Sequence, residues 1–168
     1  MQQDAGMPQN AETPILKSAP FRVLFGVLFV VSAAAAGSLF ADATSDWYKS
    51  LVKPALLPPG FVFSIVWTAL YALIAISLSL VVNDPKTTKG TLFGYAASLL
   101  LSALWPYVFF EKRNPAGAFF IIAVMIIIAL FLLANVYRIN KTAAYLLIPY
   151  FIWLWFALYL NYEIVFFN

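Results

Sequence analysis

The sequence predicts an all-α integral membrane protein, a bundle of five transmembrane helices with a long first loop over one mouth. Three observations predict it. Five apolar runs, at residues 21–41, 61–82, 91–110, 116–137 and 143–167, each approach the roughly 20 residues that cross a bilayer as a helix. Nearly every charged side chain falls between those runs. The composition, 64% hydrophobic and 10% charged, is far from the roughly 45–50% and 25% of a soluble domain, so the bilayer must solvate much of the surface. The long unbroken runs lack the alternation of a transmembrane barrel. Helices satisfy their backbone groups within one segment, and five helical spans follow.

At 168 residues the chain reads as one membrane domain, residues 21–168, behind a polar tail, residues 1–20. The tail lacks the apolar core of a signal peptide and is too polar to fold alone. The net charge of +3 is small and dispersed, which argues against a nucleic-acid partner. With no Cys and no His there is no disulfide framework, thiolate or imidazole metal ligand. No metal site, nucleophile–histidine pair or obligatory cofactor is expected.

The first span carries Ala33 and Gly37, a small-xxx-small pair that permits close helix approach in lipid. The pair suits packing inside the bundle or the seam of a homodimer through transmembrane helices. The loop at 42–60 is the one long connection, and long loops over a compact bundle are commonly functional lids. Pro58 and Pro59 mark where lid becomes helix. In the second span Phe63, Trp67 and Tyr71 share a face at four-residue steps. Trp67 lies too deep for an interfacial belt, which leaves core filling or an aromatic ligand wall.

In the third span Tyr95, Ser98, Ser102, Trp105 and Phe109 follow steps of three and four along one face. Polar groups on a transmembrane helix turn inward. Pro106 removes a backbone hydrogen bond to Ser102 and should bend the helix beside Trp105. The rival readings are Ser hydroxyls bonded to their own backbone and an interfacial Trp105. Asn114-Pro115 reads as a cap and first residue for the fourth span, which is nearly pure aliphatic and offers no chemistry. Thr142 is the expected cap of the fifth span. There Pro149 should introduce a kink, and Trp153, Ala157 and Asn161 recur every four residues as a notch with a polar floor. Asn161 is expected to serve as interhelical glue or as a ligand contact, because an unpaired amide at that depth is costly. Counting Lys and Arg gives six on the side of the tail, second and fourth loops, against four on the other, which puts the N-terminus inside.

Three motifs then resemble one family. WYxxLxKPxxxPPxxVFxxVWTxLY at 47–71, WPxxFF at 105–110 and PYxxWxxFAxxLNY at 149–162 are similar in order and spacing to the TspO/MBR family of tryptophan-rich sensory and translocator proteins. The resemblance implies a five-helix membrane bundle whose first loop closes a pocket for porphyrin or haem-type tetrapyrroles. It also implies, in some members, cholesterol and aromatic drugs as ligands, and in some bacterial members light-dependent porphyrin degradation.

By motif matching, Trp67, Tyr71, Trp105, Trp153, Ala157 and Leu160 are the implied pocket positions, joined by Ser102 and Asn161. Trp67 and Trp153 are the only catalytic residues a photochemical reaction would need. Trp47, Lys49, Lys53, Pro58 and Pro59 form the implied lid, with Lys49 or Lys53 available to ligand carboxylates. The expected partners are a tetrapyrrole and membrane lipid, and the expected role is receptor or sensor, with degradation and transport as alternatives. The chain departs from the family pattern at Ser102, where relatives often carry Asn, and at Leu73-Ile74-Ala75, which replaces a Met-Gly pair. Gly117 stands where some animal members place a further tryptophan. The segment 160–162 lacks the following basic residue of a proposed cholesterol motif, and the looser set Leu133, Tyr137 and Lys141 does not restore it.

Overall fold

The structure is a computed structural model that describes residues 19–168. Six α-helices account for most of it: α1 (Ala19–Phe40), α2 (Asp46–Ser50), α3 (Gly60–Val81), α4 (Lys89–Pro106), α5 (Pro115–Ile139) and α6 (Lys141–Phe167). A π-helical turn, Tyr107–Glu111, extends α4 without a break. Five of these are long and apolar enough to cross a membrane, and α2 is a short helix inside the long first loop. The protein is an all-α, five-span membrane bundle, as the apolar runs predict. The expected tail falls mostly outside the described residues; α1 already includes Ala19 and Pro20.

Local sequence explains the helix starts. Ser45 accepts from the Tyr48 amide at 3.4 Å and Thr88 from the Thr91 amide at 3.1 Å. Asn114 accepts from the Gly117 amide at 2.8 Å, with Pro115 next, as expected of an Asn-Pro helix start. The cap of α6 is a correction. Asn140, not Thr142, accepts from the Ala143 amide at 3.0 Å. α5 runs to Ile139, leaving a single residue to end one helix and begin the next, and Thr142 already lies in the first turn.

The outer surface is apolar, as a bilayer requires: Phe25, Phe93, Ile127 and Phe166 are each exposed by 63% or more. The inside combines small residues with paired hydroxyls. Ala33 and Gly37 are buried within the chain, and a Cβ on Gly37 would stand 3.5 Å from the Ala103 backbone, so α1 and α4 pack almost backbone to backbone. Ser77 lies 2.6 Å from the Tyr95 hydroxyl and donates to the Ala143 carbonyl at 2.8 Å, joining α3, α4 and α6. Ser98 lies 2.9 Å from the Tyr150 hydroxyl and ties α4 to α6 again. With no water in the hydrocarbon to compete, these pairs fix the helix register.

Gly94 sets the distance between α4 and α5, because a Cβ there would meet Leu132 Cδ2 at 2.9 Å. Leu132 is 2% exposed and has little room to yield. Gly94→Ala should therefore cost about 1–3 kcal/mol. Gly60→Ala, where nothing lies within 4 Å, should leave stability unchanged or raise it. Thermal unfolding of the two variants in detergent separates these outcomes.

Candidate functional site

A cavity of about 750 Å³ opens beneath the first loop, between that loop and the adjoining halves of the transmembrane helices. α3 supplies Phe63, Trp67 and Tyr71 as one wall. Trp67 and Tyr71 lie 5.5 Å apart with ring planes tilted by 35°, and Trp67 meets Tyr150 edge-on at 6.5 Å. The four-residue spacing turns all three α3 side chains to the same side.

α4 supplies the opposing wall through Ser102, Trp105 and Phe109. Trp105 and Phe109 stack at 5.2 Å with planes 23° apart. Pro106 has no amide for the Ser102 carbonyl, and past it the helix loosens into the π-helical turn, closed by the Lys112 amide donating to the Tyr107 carbonyl at 3.0 Å. The local answer to this proline is a wider turn, which carries Phe109 and Phe110 round to the cavity's lid side. The Ser102 hydroxyl donates to the Leu99 carbonyl at 2.8 Å and accepts from the Tyr71 hydroxyl at 3.1 Å, joining the two walls.

Asn161 is the polar group of the α6 wall. It is 2% exposed, yet both ends of its amide are paired: Oδ1 accepts from Trp105 Nε1 at 3.0 Å, and Nδ2 donates to the Pro115 carbonyl at 2.8 Å. The residue is interhelical glue and a lining residue at once, and it orients the Trp105 indole. Ala157 and Leu160 line the cavity beside it. Trp153 does not. Phe63 takes the place at the wall, and Trp153 packs edge-on against it at 5.7 Å and against Phe156 at 5.3 Å. The Trp153 indole N–H is buried without a hydrogen-bond partner.

The lid is tied down at several points. Trp47 packs on Phe109 at 5.7 Å and Tyr48 on Phe110 at 5.3 Å. Asn168 accepts from the Val52 amide at 2.8 Å and donates to the Val52 carbonyl at 3.3 Å, pairing with the lid backbone much as a strand would. Lys53 lies over the Tyr48 ring, 4.0 Å from its centre, and donates to the Tyr48 and Leu51 carbonyls. Burial pulls the Lys53 ammonium below the ordinary lysine range and pushes the Tyr48 phenol up. Asp42 is held low by its hydrogen bonds from the Thr44 hydroxyl and amide, which shape the turn into α2. Lys49 is exposed and lies 4.0 Å from Asp46. Of the lid residues singled out from sequence, Pro58 and Pro59 line the cavity, Trp47 holds the roof onto α4, and the two lysines stay with the lid backbone and its surface.

Sequence reasoning missed several lining groups. Tyr48 and Phe110 lie inside the recognised motifs but were not singled out. Gly37 and Ser38 of α1 and Ile122 and Met125 of α5 also line the cavity. The uniformly aliphatic fourth span held no signal that could distinguish a cavity face from a lipid face. Among the described residues no Asp, Glu, Lys or Arg is buried, and no cluster of His, Cys, Asp or Glu could hold a metal. The lining is neutral, aromatic and sparingly hydroxylated. Such a cavity can bind a flat apolar ring and orient it through few polar contacts.

Comparison with known proteins agrees with this architecture. The TspO/MBR family model matches residues 25–167. The chain is 36% identical over 135 residues to the tryptophan-rich protein TspO of Chlorobaculum tepidum, an overlap of 77% of this chain and 85% of that protein. It is 34% identical to the tryptophan-rich sensory protein of Cereibacter sphaeroides, over 81% of this chain and 88% of the relative. It is 33% identical to the human translocator protein, over 69% and 71% of the two chains.

The Asn161 junction generates a direct test. Asn161→Leu strands the Trp105 indole N–H, which should cost about 1–3 kcal/mol in thermal or denaturant unfolding. Adding Trp105→Phe should recover part of that loss, because the stranded donor goes with it.

Proposed function

The chain belongs to the TspO/MBR family of membrane proteins, and we propose that its cavity is a receptor site for a porphyrin or haem-type tetrapyrrole. The observation that carries the reading is the pairing of Trp67 and Tyr71 on one wall with Trp105 and Phe109 on the other, under a fastened lid. A volume of about 750 Å³ falls within the roughly 300–1,000 Å³ of small-molecule sites. A conjugated macrocycle offers each ring a stacking or edge contact worth about 0.5–1.5 kcal/mol beyond burial. The neutral interior suits the ring, and its ionised carboxylates belong at the mouth, on the side of the lid that carries Lys49 and Lys53. Axial ligation by His or Cys is not available to a haem, since the sequence has neither.

A second reading shares the site. Trp67, Tyr71 and Tyr150 form a run of oxidisable rings with centroid spacings of 5.5 and 6.5 Å around Trp67. Such a run favours light-driven oxidation of a bound porphyrin by dioxygen over acid–base chemistry. Ion-coupled transport ranks lower, because the spans bury no ionisable group of the kind that couples ions at the midplane.

Trp67→Phe should weaken protoporphyrin binding about tenfold, measured by absorbance titration in detergent. Trp153→Phe should bind within about twofold of the wild type and unfold no earlier, since it removes an unpaired donor outside the cavity. Equal losses in the two variants would contradict the assignment of the wall. Under light and air, a new tetrapyrrole product that disappears in Trp67→Phe would establish the oxidative reading; unchanged porphyrin would leave binding alone.

A further inference from the structure

A second concavity, of about 550 Å³, lies between α1, α3 and α4, at the end of the bundle remote from the lid. Its walls are Phe21, Phe25 and Phe29 of α1, at four-residue steps on one face, with Leu78 of α3 and Leu92 of α4 opposite. Two features keep it open and apolar. Gly26 presents no side chain, and a Cβ there would already stand 3.1 Å from Leu78. Tyr95 forms part of the floor, but its hydroxyl is turned inward, 2.6 Å from Ser77, so the ring is what borders the groove.

One end of this groove is cationic. Arg22 is among its lining residues. Lys89 opens α4 and lies three residues before Leu92 and seven before Ala96, on the face that lines the groove. Asn83 donates to the Ala19 carbonyl at 3.1 Å, which holds the start of α1 against the α3–α4 connection and places both cations at the same end. The count of Lys and Arg, six against four, favours this end as the inner side, where anionic lipids concentrate.

We propose that this groove is a binding site for an anionic phospholipid, with one acyl chain against the phenylalanines and the headgroup phosphate on Arg22 and Lys89. Basic pockets between transmembrane helices on the inner side recognise phospholipid headgroups in this way. The site is separate from the aromatic cavity and does not depend on what that cavity binds.

The test is native mass spectrometry of the purified protein, titrated in detergent with dioleoyl phosphatidylglycerol and, separately, dioleoyl phosphatidylcholine. The wild type should retain one phosphatidylglycerol at least about fivefold more tightly than phosphatidylcholine. Arg22→Gln and Lys89→Gln should each remove most of that preference, while Lys112→Gln, at the opposite end, should not. Ala96→Phe, which fills the groove, should weaken retention of both lipids. Equal retention of the two lipids by the wild type would overturn the proposal, as would a preference unchanged in the Arg22→Gln, Lys89→Gln double variant. A shift in the monomer–dimer ratio of Ala96→Phe with lipid retention intact would also overturn it, by showing that the face meets a second copy.

Discussion

A primary amide buried in an apolar bundle has no water to fall back on, and the lid end of this protein is arranged around that fact. Asn161 must find an acceptor for its N–H and a donor for its oxygen, and it takes the Pro115 carbonyl and the Trp105 indole. Those two bonds hold α6 to the start of α5 and to the end of α4. They also fix the Trp105 ring, which stacks on Phe109, and Phe109 in turn receives Trp47 from the lid. The roof of the cavity is thus connected to its α6 wall through three aromatic rings and one amide.

The same economy of polar groups explains the rest of the interior. Lipid is as apolar as leucine, so burial alone does not choose which face of a transmembrane helix turns inward. Hydroxyls and small residues make that choice here. Ser77, Ser98 and Ser102 each pair with a tyrosine from another helix, and Gly37 and Gly94 let backbones and branched side chains approach. Where these devices are densest the helices pack closely. Towards the lid large rings join Gly37 and Ser102 along the walls, and the cavity opens there.

This also explains how much was legible in the sequence. The five spans, the Asn114-Pro115 start and the inward face of the third span were readable because charge, proline and hydroxyl spacing mark them directly. The cap at Asn140 was not, because Thr142 is an equally good capping residue and only the length of α5 decides between them. Trp153 shares a helical row with Ala157 and Asn161, but spacing gives rotation about one helix and not the neighbour met at that height. That neighbour is Phe63, which takes the wall position. Ile122 and Met125 line the cavity from a helix whose sequence is uniformly aliphatic. The pairing of Asn168 with Val52 spans 116 residues and follows no local pattern.

Membership of the TspO/MBR family and the five-span bundle stand on the matched residues and on the fold. The tetrapyrrole assignment rests on the aromatic walls, and its most direct test is an experimental structure of the protein with protoporphyrin bound. The macrocycle should lie beneath the lid, with Trp67 and Tyr71 on one side and Trp105 and Phe109 on the other. A macrocycle seated elsewhere on the bundle, with those four rings out of contact with it, would rule out this cavity as the tetrapyrrole site.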